Sequence, residues 1–190
     1  MIAAGRAARA GALAAIAVIA CKGDRAAAVA TLAEGQGAVT REHGGQAAAA
    51  PLGQPFVLGD AARTGSAAWA RLQLRGGPIV RLGADSLVRF VAAGARLERG
   101  EAAAEDRPVT LITEAGIAVI EAGGTLRARD ADGQVRYDVV IGRAVIQRDD
   151  GPLTLEGGGH LVVAIGGAVI EQVGPPPPPP PTPPPPPPNP

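Results

Sequence analysis

Short apolar runs that rarely exceed seven residues, each closed by glycine or Asp-Gly, constrain this chain most. They are Phe56 to Leu58, Ala68 to Leu74, Ile79 to Leu82, Leu87 to Val91, Val109 to Thr113, Ile117 to Ile120, Thr125 to Arg129, Val135 to Ile141, Ala144 to Gln147, Leu153 to Glu156, Leu161 to Ile165 and Ala168 to Val173. Glycine interrupts nearly every window and β-branched residues fill the runs, which argues against long helices. Many short strands with closely spaced turns predict an all-β fold. Only 2% of residues are aromatic while 46% are hydrophobic, so the core must be built from Ala, Val, Ile and Leu. Such a core suits thin, closely stacked layers. The expected architecture is a rolled or twisted β-solenoid-like stack of short strands, with a two-sheet β-sandwich as the alternative and disordered termini. Asp132-Gly133 and Asp150-Gly151 are expected turn dipeptides. The apolar tracts Leu161 to Ile165 and Ala168 to Ile170 are expected to be interior strands, because unprotected apolar edges aggregate.

Leu58 to Gly65 stands between a loose Ala/Gly tract and the alternating strand that begins near Ala68. Gly59, Asp60, Arg63, Thr64 and Gly65 are expected to form a structural turn. Glycine supplies positive φ, Asp60 bonds nearby backbone N–H groups, and Arg63 is placed to pair with Asp60 across the corner. In the following strand Ala70, Leu72 and Leu74 are expected to face inward and Arg71, Gln73 and Arg75 outward. Trp69 falls on the wet side. It is a possible binding residue, either a carbohydrate-stacking platform or a cover for a neighbouring layer.

The ends differ in grain. Arg6 and Arg9 precede an apolar stretch from Ala10 to Ala20, too short to span a bilayer. Residues 1–20 therefore read as a secretory signal. Val18-Ile19-Ala20-Cys21 resembles the lipobox of bacterial lipoproteins. That resemblance implies cleavage before Cys21 and lipidation of its thiol, and Lys22 in the second mature position points to the outer membrane. Residues 21–33 are expected to be a lipidated tether, 34–174 the β-domain, and 175–190 a polyproline tail. The tail serves as a spacer, a groove ligand or a solvated low-complexity end.

The inventory of reactive side chains argues against chemistry. The only lysine is Lys22 and the only cysteine Cys21, so no phosphate-cradling Gly-Lys loop, Schiff-base lysine, disulfide or multi-cysteine metal site can be built in the domain. His43 and His160 lack metal-ligand spacing and are expected to be exposed turn histidines. Neither Ser66 nor Ser86 sits in a nucleophile elbow. No catalytic residue, cofactor or metal is assigned. The formal net charge is zero, which argues against nucleic acid as a partner.

The order of short words along residues 34–173 resembles the FecR domain, a β-rich module of bacterial envelope proteins. The words are Gly37-Ala38-Val39, Gly59-Asp60 with Arg63-Thr64-Gly65, the Leu72-Gln73-Leu74 strand, Leu97-Glu98-Arg99-Gly100-Glu101, Gly124-Thr125-Leu126, and Val139 to Val145. The resemblance implies a periplasmic domain that binds other macromolecules. The iron-signalling role of some members is not carried over. The function expected is that of a lipid-anchored, non-catalytic interaction, regulatory or scaffold module in the periplasm, held at the membrane through Cys21. Its partner is an envelope protein; the alternative is a cell-wall polymer, peptidoglycan or another polysaccharide.

Overall fold

A computed structural model describes residues 27–174, all of which lie in strands or their connections. The expected signal, Cys21 with the first part of the tether up to residue 26, and the polyproline tail fall outside the described residues. Within them the chain steps back and forth between two layers. β1 (Ala30–Gln36) lies in the first layer, and β2 (Val39–His43) and β3 (Gln46–Ala49) form a hairpin in the second. β4 (Pro55–Phe56) returns to β1, and β5 (Ala61–Thr64) goes back to β2. β6 (Trp69–Leu74) and β7 (Ile79–Leu82) form a first-layer hairpin. β8 (Leu87–Val91) pairs with the start of β9 (Gly94–Glu105) in the second layer. The end of β9 pairs with β7 in the first.

The alternation then continues by hairpins. β10 (Val109–Thr113) and β11 (Gly116–Ile120) lie in the second layer, and β12 (Thr125–Ala131) and β13 (Gln134–Ile141) in the first. β14 (Arg143–Arg148) and β15 (Gly151–Glu156) follow in the second, and β16 (His160–Ala164) and β17 (Val169–Val173) in the first. Strand order in each layer largely follows chain order, as in a solenoid, while two layers face each other, as in a sandwich. The fold is all-β.

One cluster of buried side chains fills the space between the layers, and most are Ala, Val, Leu and Ile. Phe56 and Phe90 meet across the layers with ring centroids 5.3 Å apart, within the range for a favourable tilted pair. The Tyr137 hydroxyl lies 2.5 Å from Thr113 Oγ1. Since Thr113 donates its own proton to the Gly116 carbonyl, Tyr137 is the donor in that bond.

Four expectations shift. The sheet begins at Ala30, so residues 30–33, expected in the tether, are strand; Ala30 and Leu32 are buried because they pair opposite Leu74 and Leu72. The turn at Gly59–Gly65 is shorter than expected, since Ala61–Thr64 is β5, clamped between β2 and β8. The β14–β15 turn is Asp149-Asp150, because Arg148 pairs with Gly151. The last apolar tract is split: β16 is interior, whereas β17 is the edge of the first layer.

Candidate interaction surface

Asp60 is fully buried at the mouth of the turn. Its carboxylate accepts from Arg41 Nε at 2.6 Å and from the Val57 N–H at 2.8 Å, and His43 Nδ1 lies 2.5 Å from its other oxygen. Burial pushes this carboxyl up, but the bonds from Arg41, Val57 and His43 outweigh it and hold it below the usual carboxylate value. Arg63 does not meet Asp60. It points outward from β5 and pairs with Glu42 at 3.0 Å, because side chains on a strand alternate and Asp60 faces in. Sequence reasoning missed Arg41 and His43 as partners of Asp60. Their alternation on β2 was the available signal, but the register that brings β2 beside β5 is not local.

Thr64 ends β5 in a second buried polar knot. Its hydroxyl donates to the Gly83 carbonyl at 2.6 Å and accepts from the Ser86 N–H at 3.0 Å. Ser86 Oγ in turn accepts from the Glu101 N–H at 2.9 Å. Glu101 follows Gly100, the residue at which β9 leaves one layer for the other. Gly59 and Gly65 flank the two knots, Gly59 at a φ of +88° and Gly65 donating to the Ala38 carbonyl at 2.9 Å. Of the five residues, Gly59 and Asp60 thus precede β5, Arg63 and Thr64 belong to it, and Gly65 follows it.

Trp69 lies on the outer face of the first layer, 38% exposed, and its Nε1 donates to Gln36 Oε1 at 3.2 Å. Behind it Ala70 and Leu72 are buried. The same face carries ion pairs between Arg81 and Glu105, Arg127 and Glu101, and Arg136 and Asp138. His160 opens β16 with its side chain only 19% exposed, and its Nε2 lies 3.2 Å from Glu171. It is a partly covered strand residue, not the exposed turn histidine expected. Among the described residues no group of three or more His, Cys, Asp or Glu is placed to hold a metal ion.

At the far end of this layer, every residue of β17 is exposed. Val169, Ile170 and Val173 are 43%, 53% and 42% exposed. β17 pairs only with β16, so its outer backbone groups have no strand to bond among the described residues. Among the described residues the second layer ends at β15.

Among the described residues, fold and surface together define a two-layer all-β module with ion pairs on the outer face of its first layer and an open apolar edge at β17. No family model matches the chain, and no curated protein matches it. The fold is shared with two crystal structures of a putative anti-sigma factor from Parabacteroides distasonis. One superposes with a TM-score of 0.51 at 16% identity, the other with 0.50 at 17%, and each match covers 60% of this chain and 59% of that one. The chain thus spans about 59% of the length of these structures, and the likeness is one of fold.

Proposed function

We propose that this chain is a lipid-anchored bacterial envelope protein, attached through Cys21 at the outer membrane and facing the periplasm. Its FecR-like β-domain is a non-catalytic module that binds a protein partner. The observation that carries this reading is the β17 edge, where a row of unpaired backbone groups lies beside three exposed aliphatic side chains. Edges of this kind recruit an added strand: main-chain bonds give affinity and alternate side chains give specificity. The following sequence cannot supply that strand, since residues 175–190 are proline except Thr182 and Asn189, and proline has no N–H to donate. The occupant this reading assigns is an extended, apolar segment of an envelope protein, with a basic residue favoured opposite Glu171. The description of the two structural neighbours as an anti-sigma factor supports a protein-binding role over a catalytic one.

A photo-crosslinking residue placed at Ile170 in cells tests the reading. One identified envelope protein is expected to be captured, with capture lost in Glu171→Pro and absent from a probe at Arg63 on the opposite layer. Equal capture from both positions, or capture that survives Glu171→Pro, contradicts it. The anchor is tested separately by the mass of the mature N-terminus, expected to be an acylated chain beginning at Cys21. An unmodified chain beginning at Met1 rules the anchor out.

A further inference from the structure

A trough crosses the outer face of the first layer beside Trp69. Gly83 lies next to Trp69, one residue beyond the Ala70–Leu82 pair, and bonds to Glu101 on β9. In the next row Arg81 pairs with Ala103, and Ala103 with Arg127. Neighbouring strands are about 4.8 Å apart, so glycine and alanine at these two positions leave gaps of about 10 Å between the flanking side chains. The result is a groove of about 230 Å³ with Gly83 and Ala103 in its floor and Trp69, Arg81, Glu101 and Arg127 around it.

Two features set its chemistry. The walls carry two cations and two anions, paired as Arg81–Glu105 at 2.9 Å and Arg127–Glu101 at 3.2 Å, so the groove has no net charge to attract a polyanion or a polycation. Each pair engages Nε of the arginine and one carboxylate oxygen, leaving further planar donors and acceptors around the trough. The indole is held at its N–H by Gln36, which fixes the ring without using its face. An apolar ring face beside mixed donors and acceptors suits a ligand with an apolar C–H face and hydroxyls that both donate and accept. We propose that this trough binds a neutral sugar ring of an oligosaccharide or polysaccharide, with Trp69 as the stacking platform. A protein anchor residue is the poorer fit, because such anchors fill dry apolar pockets, and apart from Val140 and Thr125 at one end these walls are ionic. The inference does not depend on the β17 reading, since it uses β6, β7, β9 and β12.

Trp69 is the only tryptophan in the chain, so its emission reports on the groove directly. Titration of the purified protein with chitotetraose, cellotetraose and maltotetraose is expected to give a saturable emission change with at least one of them, insensitive to added salt. By calorimetry with that sugar, Trp69→Ala is expected to weaken binding by roughly tenfold or more. Ala103→Gln, which fills the floor and leaves Trp69 in place, should do the same, while Glu171→Pro leaves sugar affinity unchanged. The proposal is overturned by no saturable response to any of the three sugars, by Ala103→Gln binding as tightly as the parent, or by a groove that responds only to the protein crosslinked from Ile170.

Discussion

Arg41 Nε donates to Asp60 Oδ2 across 2.6 Å, tying the β2–β3 hairpin to the turn that precedes β5. The carboxylate is fully buried, while the arginine side chain is 26% exposed. Replacing Asp60 with Ala strands the Val57 N–H and leaves Arg41 to water. The expected loss is about 2 to 3 kcal/mol in denaturant unfolding, at the low end for a broken buried pair because Arg41 is partly solvated. His43→Ala should cost much less, since its ring is 65% exposed. The same carboxylate sets an acid limit. Its folded pKa lies below the unfolded value of about 3.9, so its contribution is complete above that pH and is lost as pH falls through the folded pKa. Urea midpoints measured between neutral pH and pH 3 should fall more steeply for the parent than for Asp60→Ala.

Asp130 has the opposite sign. Burial, and then the nearby Glu114 charge, raise its pKa. Ionised at neutral pH it destabilises the fold, and protonation on acidification restores stability until pH drops below its unfolded pKa. Asp130→Asn is therefore expected to melt higher than the parent at pH 7, with the difference shrinking towards pH 4. An equal or lower melting temperature at pH 7 would count against this assignment.

Gly100 has a φ of +84°, and a Cβ there would lie 2.6 Å from Ser86 Oγ and 2.7 Å from Ser86 Cα. The obstacle is mostly backbone and a hydroxyl already engaged with Glu101, so it has little room to yield. Gly100→Ala is expected to cost about 2 kcal/mol or more in thermal or denaturant unfolding. Gly123→Ala offers a control, because its φ of +76° carries the same backbone strain but nothing lies within 4 Å of the added carbon.

The fold class was legible where side chains were large. β6, β8, β10 and β13 announce themselves as β-branched or leucine-rich runs between turns. β3, β5 and the end of β9 did not. Alanine fills Ala47 to Ala49, Ala61 and Ala62, and Ala102 to Ala104, and it carries little strand preference of its own. Alanine sits at 62, 102 and 104 because the layers pack closely there, and that is a property of the assembled stack. The Asp60 site was half legible. Glycine and aspartate marked a turn, but the partners lie 19 and 17 residues upstream, and only the register of β2 against β5 selects them over Arg63. Trp69 was placed on the wet face by period-two alternation alone. Its trough depends on two small residues, Gly83 just after β7 and Ala103 in β9, which no local pattern brings beside it.

The most direct test of the central claim is amide hydrogen exchange across β17, with and without the envelope protein captured from Ile170. Strand addition predicts slowed exchange within Val169–Val173 on binding, with the second layer unchanged. Unaltered exchange in β17, with protection appearing elsewhere on the domain, would contradict it.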